Sequence, residues 1–448
     1  MLGIFVLLIA LILFGVLAFK QVSALILAPL ITIFVIVCSG IIDWFSNGAF
    51  FSSIPILQTL KDSFMPEAAG YVKDYFLVFF VGALFGSVYQ YTGAAESIAL
   101  FISKVSKDKF VAPVVMCITG ILTFGGVSGF VVFFVIYPIA LQMFKRANLT
   151  RMLIPAAISA GCWTWSMTAP GSPSIQNVIS AETLGTASTA AFIPSIIATL
   201  AEFAMIFAWL EWRARKFTAK GRLFHDTALA MQLSSEELKE NDTEKNLPHA
   251  LIAFIPIIAI LVCYDLFRIK VETSVMVGVI LATILMFPKI KGLNMWIDVF
   301  NKGAADSGVA ILNTAIVVGF GGVVQNTEGF KNLVAMLQKS NISPMLFVAI
   351  TVAACAGACG SASGGLKIAF NALVDTFRKM GLNLEYVHRI GVIAAGTLDT
   401  LPHQGAQITL LNICKLTHKE AYFDIAITQI LIPFLTLGVF IPLASMGL

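Results

Sequence analysis

Asp399 and His403 stand on either side of Pro402, in the stretch Asp399-Thr400-Leu401-Pro402-His403-Gln404-Gly405-Ala406-Gln407 that follows an apolar run. A proline removes a backbone donor and clashes with the preceding turn, so a helix breaks there. A carboxyl group and an imidazole beside such a break could carry a coupled proton, since the imidazole titrates near neutral pH. For His403 the alternative is a hydrogen-bonded packing residue. A second stretch has the same grammar: Thr168-Ala169-Pro170-Gly171-Ser172-Pro173-Ser174-Ile175-Gln176-Asn177. The two breaks free backbone carbonyls, which suit a cation, and N–H groups, which suit an anion. Thr168, Ser172, Ser174, Gln176 and Asn177 in the first add hydroxyl and amide groups, as do Thr400, His403, Gln404 and Gln407 in the second. Together these are the groups that would bind a small hydroxylated acid. An ordinary proline-kinked helix end at a membrane interface is the competing reading.

Two glycine- and serine-rich stretches offer a further pair of sites. Gly125-Gly126-Val127-Ser128-Gly129 and Gly360-Ser361-Ala362-Ser363-Gly364-Gly365 each interrupt a long apolar run near its middle. A turn at that point would fold the run into two half-depth helices, a re-entrant hairpin, which is tolerated at membrane depth only where protein or a cavity satisfies the backbone. Ser128, Gly129, Ser361, Ser363 and Gly364 would then line tips whose N–H and hydroxyl groups favour an anion. A small-residue helix-packing face is the alternative. Lys367 follows the second tip. It would either neutralise a substrate carboxylate or snorkel to the interface.

These elements recur in register, which points to a duplicated chain. Phe80-Val81-Gly82 resembles Val317-Val318-Gly319, the two tips match, Asn148-Leu149 matches Asn383-Leu384, and Ile158-Ser159-Ala160-Gly161 matches Ile393-Ala394-Ala395-Gly396. Pro170 pairs with Pro402 after a short loss of register. Duplicated halves with interrupted apolar segments at matching places are the mark of secondary transporters, whose sites lie where the halves meet.

The elements that must carry these residues are membrane spans. The chain has 448 residues, 58% hydrophobic and only 12% charged, with mean hydropathy +0.89. A soluble domain carries about 25% charge, so lipid is the solvent. Spans are predicted at 2–19, 22–42, 74–92, 110–141, 151–169, 187–212, 249–267, 271–288, 304–325, 343–375 and 421–446. Two of these runs are long enough for more than one pass, and 45–72 could hold a short interfacial helix. The apolar N-terminus reads as a first span rather than a cleaved signal. The polar stretch 213–248, basic and then acidic, reads as a solvated cytoplasmic loop. Glu96, Glu202, Asp265 and Asp306 read as interfacial. The small net charge of +4 argues against nucleic-acid binding. Seven cysteines lie in or beside apolar runs and read as small hydrophobes. Neither a metal cluster nor a catalytic motif is legible, and no cofactor is expected.

At GGVSGFVVFFVIYPIAL (125–141), LIPAAISAGCWTWSMTAPGSPSIQNVI (153–179), GSASGGLKIAF (360–370) and LDTLPHQGAQITLLNICKLTHKEAYFDI (398–425) the sequence resembles the gluconate permease (GntP) family of the ion transporter superfamily, along the whole chain and nearest its 3-hydroxybutyrate permease-like branch. The resemblance implies an all-α inner-membrane homodimer with two inverted repeats and elevator-type movement. It implies proton-coupled uptake of a small carboxylate such as gluconate or 3-hydroxybutyrate; sodium coupling and a passive facilitator or channel are the alternatives. In this scheme 1–73 and 249–303 are scaffold helices, 74–212 and 304–448 are the repeats, and 213–248 is the loop between them. Two positions depart from the family pattern: Lys367 stands where a small residue is common, and Gln404 where Asn is common.

Overall fold

The computed structural model describes residues 2–47, 55–107, 109–124, 129–233, 247–267, 269–338 and 342–447. The expected first hairpin tip, Gly125 to Ser128, lies outside them. The described residues are helical and contain no strand. Among the described residues, seven helices are long and apolar enough to cross a membrane. Large apolar side chains stay exposed along them, among them Leu8, Ile12, Ile193 and Leu200. Water would not tolerate so much contiguous apolar surface, so this is a multi-pass membrane protein.

The elements in chain order are α1 (Leu2–Phe19), α2 (Ala24–Asn47), α3 (Ile56–Tyr91), α4 (Ala94–Ser106), α5 (Val111–Phe124), α6 (Gly129–Arg146), α7 (Ile154–Trp163), α8 (Ile175–Leu184) and α9 (Phe192–Ala219). The same succession then recurs as α10 (Ala250–Leu261), α11 (Val271–Met286), α12 (Leu293–Asn326), α13 (Glu328–Gln338), α14 (Pro344–Cys359), α15 (Ala362–Lys379), α16 (Leu384–Leu398), α17 (Gly405–Ile413) and α18 (His418–Ser445).

The two halves interlock. The long helices α3 and α12 lie along each other at the centre, while α1 and α2 pack on α13 and α12, and α10 and α11 pack on α4 and α3. Each half therefore lends its first two helices to the other. One apolar core joins residues of α3 to α7 to those of α10 and α11. A second joins α1 and α2 to α12 through α16.

Three expectations change. Residues 56–72 are no separate interfacial helix but the start of α3, which runs on through a π turn at Leu60–Phe64 to Tyr91. The 151–169 segment does not cross as one helix. A 3-10 turn at Arg151–Leu153 leads into α7, which ends at Thr164, where φ −125° and ψ −106° leave helical space, and a short turn, Trp165–Thr168, follows. The start of the central loop is not simply solvated either. Its first residues complete α9, and Phe224, Leu229 and Leu233 are buried in the core. There the Ala230 N–H donates to Glu420 at 2.7 Å, and the Arg151 guanidinium donates to the Met231 carbonyl.

Candidate functional site

Helix lengths show where the chain stops short of crossing. At 1.5 Å per residue, α7 and α8, of 10 residues each, and α17, of 9, span only about 15 Å, half the ~30 Å hydrocarbon core. The apolar run 343–375 is two helices. α14 ends on Gly360, whose φ of +61° is a left-handed conformation that glycine adopts without cost. Ser361 then caps α15, its Oγ accepting from the Gly364 N–H at 3.2 Å and lying 3.4 Å from Ser363 Oγ. A side chain at Gly365 would collide with the backbone of Ala356. The stretch thus makes both the turn and the close packing of the two arms.

The second break faces this tip. Asp399 is 5% exposed. One carboxyl oxygen accepts from Gln404 Nε2 at 2.6 Å and the other from Thr400 Oγ1 at 3.1 Å. Ala362, the first residue of α15, lies beside this carboxyl group. The N-terminus of α15, an expected anion site, therefore opens next to the protein's own carboxyl group. His403 does not bond to Asp399. Its ring lies 5.7 Å from that of Phe14 and 6.2 Å from that of Phe320, with both nitrogens buried and without a hydrogen-bond partner among the described residues.

Gln407 and Thr400 lead to two residues that the sequence reading did not single out as site residues. Gln407 Nε2 donates to Gln429 Oε1 at 2.8 Å, Gln429 Nε2 donates to Ser159 Oγ at 2.5 Å, and Thr400 Oγ1 lies 3.5 Å from Gln429 Oε1. Gln429 sits where α18 widens into a π turn, Ile427–Leu431, closed by the Ile432 N–H on the Ile427 carbonyl. Pro433 follows, and its ring cannot sit over the carbonyl four residues back in an α-helix. A polar residue four positions before a proline was the available signal. Tyr422 Oη donates to the Thr400 carbonyl at 2.9 Å, and His418 Nε2 lies 2.9 Å from the Pro402 carbonyl. The oxygens Gln404 Oε1 and Gln407 Oε1 have no partner among the described residues.

The first break is built differently. Arg389 of α16, fully buried, donates to the carbonyls of Thr168 at 3.0 Å and Ser188 at 3.0 Å, with Ala190 at 3.3 Å and Ala169 at 3.5 Å, and to Asn177 Oδ1 at 2.9 Å. Asn177 Nδ2 donates in turn to the Met167 carbonyl and to Ser174 Oγ, while Ser172 Oγ accepts from the Ser174 N–H. His388 bridges Asn177 and Thr186. The carbonyls expected to welcome a free cation are held by a guanidinium. Nothing in the sequence reading marked Arg389 or His388, because both sit within an otherwise regular helix with no break beside them.

Asp399, Thr400, His403, Gln404, Gln407 and the Ser361 tip thus come together, whereas Thr168, Ser172, Ser174 and Asn177 form a separate cluster around Arg389. Gln176 is buried beside that cluster. Gly129, first residue of α6, lies against the Trp163 indole. Lys367 is exposed, one turn into α15, apart from the break residues. Glu202, expected at an interface, is fully buried. Beyond the far end of α17 a cleft of about 190 Å³ opens between α3, α6, α12 and α17, lined by Gln90, Lys302, Asp306, Thr409, Asn412 and Lys415 among others.

No protein-family model matches this chain. A protein of Bacillus subtilis (strain 168), "Uncharacterized transporter YxjC", is 32% identical to it, with 92% of this chain and 93% of the relative covered.

Proposed function

This chain belongs to the same transporter family as that Bacillus subtilis protein, and we propose that it is a proton-coupled secondary transporter that carries a small organic acid anion into the cell across the inner membrane. The observation that carries this reading is the second break: a carboxyl group buried at membrane depth beside an imidazole and two amide oxygens whose hydrogen-bonding capacity the described residues leave unused. Buried polar atoms are normally paired, and unpaired ones in a membrane point to a polar cargo. The kinship with the gluconate permease family and its 3-hydroxybutyrate branch is part of the proposal, as are inverted repeats, an elevator movement and a homodimer.

The geometry supports a coupling scheme. Asp399 and a substrate carboxylate would compete for the positive end of the α15 dipole. Protonating Asp399 removes its charge and releases that N-terminus, which then accepts the substrate anion. Gln404, Gln407 and Thr400 would bind the hydroxyl group, and the cleft beside α17 would be the approach. Sodium coupling is less well supported, because the first-break carbonyls already hold Arg389.

The test is uptake into proteoliposomes with an imposed pH gradient, screening radiolabelled gluconate, 3-hydroxybutyrate, lactate and citrate, with and without Na⁺. Concentrative uptake that a protonophore collapses is the expected result. Dependence on Na⁺, or equilibration without accumulation, would replace the proton by a sodium ion or by a passive pathway.

A further inference from the structure

Glu202 lies in the middle of α9, within a segment otherwise free of charge from Phe192 to Leu210. It has no exposed surface, and neither carboxyl oxygen has a hydrogen-bond partner among the described residues. Its polar neighbour is the hydroxyl of Thr168, itself buried and unpartnered, in the turn that leads into the first break. Thr168 holds the place in the first repeat that Thr400 holds in the second, two residues before the matching proline. In the second repeat the closing helix α18 presents Gln429 to Thr400; in the first, the closing helix α9 presents a carboxyl group to Thr168. With Asp399, each break has one buried carboxyl group.

An uncompensated carboxylate at membrane depth is too costly to persist, so such a group takes up a partner. The charged groups around it are engaged elsewhere. Of the elements packed on α9, α5 brings only Cys117, and the 165–168 turn brings no charge. The 151–153 turn brings Arg151, bound to the carbonyls of Lys415 and Met231. α18 packs on α9 through Ile432–Ser445, which carries no charge, and its Asp424 is held by Arg213 of α9 some three turns beyond Glu202. Arg389 binds the opposite side of Thr168, at its carbonyl. A metal cation here would have to share the Thr168 and Ala169 carbonyls with that guanidinium, whereas a proton needs no further ligand.

We propose that Glu202 is a second proton-binding site of the transporter, serving the first break as Asp399 serves the second. The role in transport rests on the proton-coupled reading above; the protonated state of Glu202 does not, and the two are tested separately. In proteoliposomes holding the full chain and a trapped pH dye, proton and radiolabelled 3-hydroxybutyrate fluxes are measured together. Glu202→Gln is expected to roughly halve the protons carried per anion while substrate exchange persists, and Glu202→Asp to retain the wild-type ratio. An unchanged ratio in Glu202→Gln overturns the role in coupling. The infrared carboxyl C=O band of the purified protein at neutral pH gives the second readout and needs no substrate. Loss of band intensity in Glu202→Gln, beyond any loss in Asp399→Asn, supports the site. A band that Glu202→Gln leaves unchanged overturns it, whatever the uptake assay gives. Should the Gln variant fail to fold, a shift of the same band in Glu202→Asp decides.

Discussion

The polar side chains at membrane depth divide into those that clamp backbone carbonyls and those whose hydrogen bonds can be exchanged. Asp399 belongs to the working group because its bonds to Gln404 and Thr400 can be exchanged for others. Asp399→Asn keeps the shape and removes the titration. Accumulation driven by a pH gradient should disappear while exchange of labelled for unlabelled substrate continues, measured in the same proteoliposomes; continued accumulation would take Asp399 out of the coupling step. Arg389 belongs to the other group. Its guanidinium fork closes the first break over four carbonyls and Asn177, and an orphaned buried acceptor costs about 1–3 kcal/mol. Arg389→Met should therefore lower stability by on the order of 3 kcal/mol or more, seen as a lower melting temperature in detergent. Arg389→Lys should recover only part of it, since an ammonium lacks the fork. Equal melting of the Lys variant and the wild type would mean that charge alone suffices.

Elements present these residues through their irregularities. α18 turns Gln429 toward Gln407 and Ser159 at a π turn that Pro433 enforces, and such bulges recur at functional sites. Replacing Pro433 with Ala lets the turn tighten into regular helix. The fold should hold or gain stability, while half-saturation for uptake rises roughly tenfold, the effect of losing about 1.4 kcal/mol of binding. Unchanged half-saturation would show that the turn does not place Gln429 for binding. The same irregularities decide what a sequence displays. Pro170, Pro173 and Pro402 announce their breaks, and Gly360 with Ser361 announces the second tip, because each of these residue types has one local consequence. Glu202, Arg389 and Gln429 are silent, because their meaning lies in what α9, α16 and α18 pack against. The buried face of 222–233 was hidden for the same reason: Phe224, Leu229 and Leu233 are too widely spaced among polar residues to read as an apolar run.

At the scale of the whole molecule, the exchange of opening helices makes each half incomplete alone. Without α10 and α11, the faces of α3 and α4 that they cover would be bare, and the same holds for α12 and α13 without α2 and α1. The halves are also tied at their closing helices. Arg213 of α9 reaches Asp424 of α18 through Nε at 2.5 Å and Nη2 at 2.8 Å, Trp209 Nε1 donates to the same carboxyl at 3.0 Å, and Arg213 lies 4.2 Å from the ring centre of Phe217. Breaking a buried pair from one side leaves a buried charge and costs about 3–5 kcal/mol, so Arg213→Ala should destabilise the chain far more than Arg213→Ala combined with Asp424→Asn, as a double-mutant cycle of melting would read. The interlocking makes a stronger demand. If the chain is divided within 234–246, the pieces 1–233 and 247–448 should each be degraded when made alone, yet assemble and transport when made together, because each supplies the helices that complete the other's core. Membrane fractionation and uptake from cells making one piece or both would check this. A first piece that accumulates stably by itself would show that α1 and α2 do not depend on α12 and α13, and the two halves would then be neighbours rather than parts of one core.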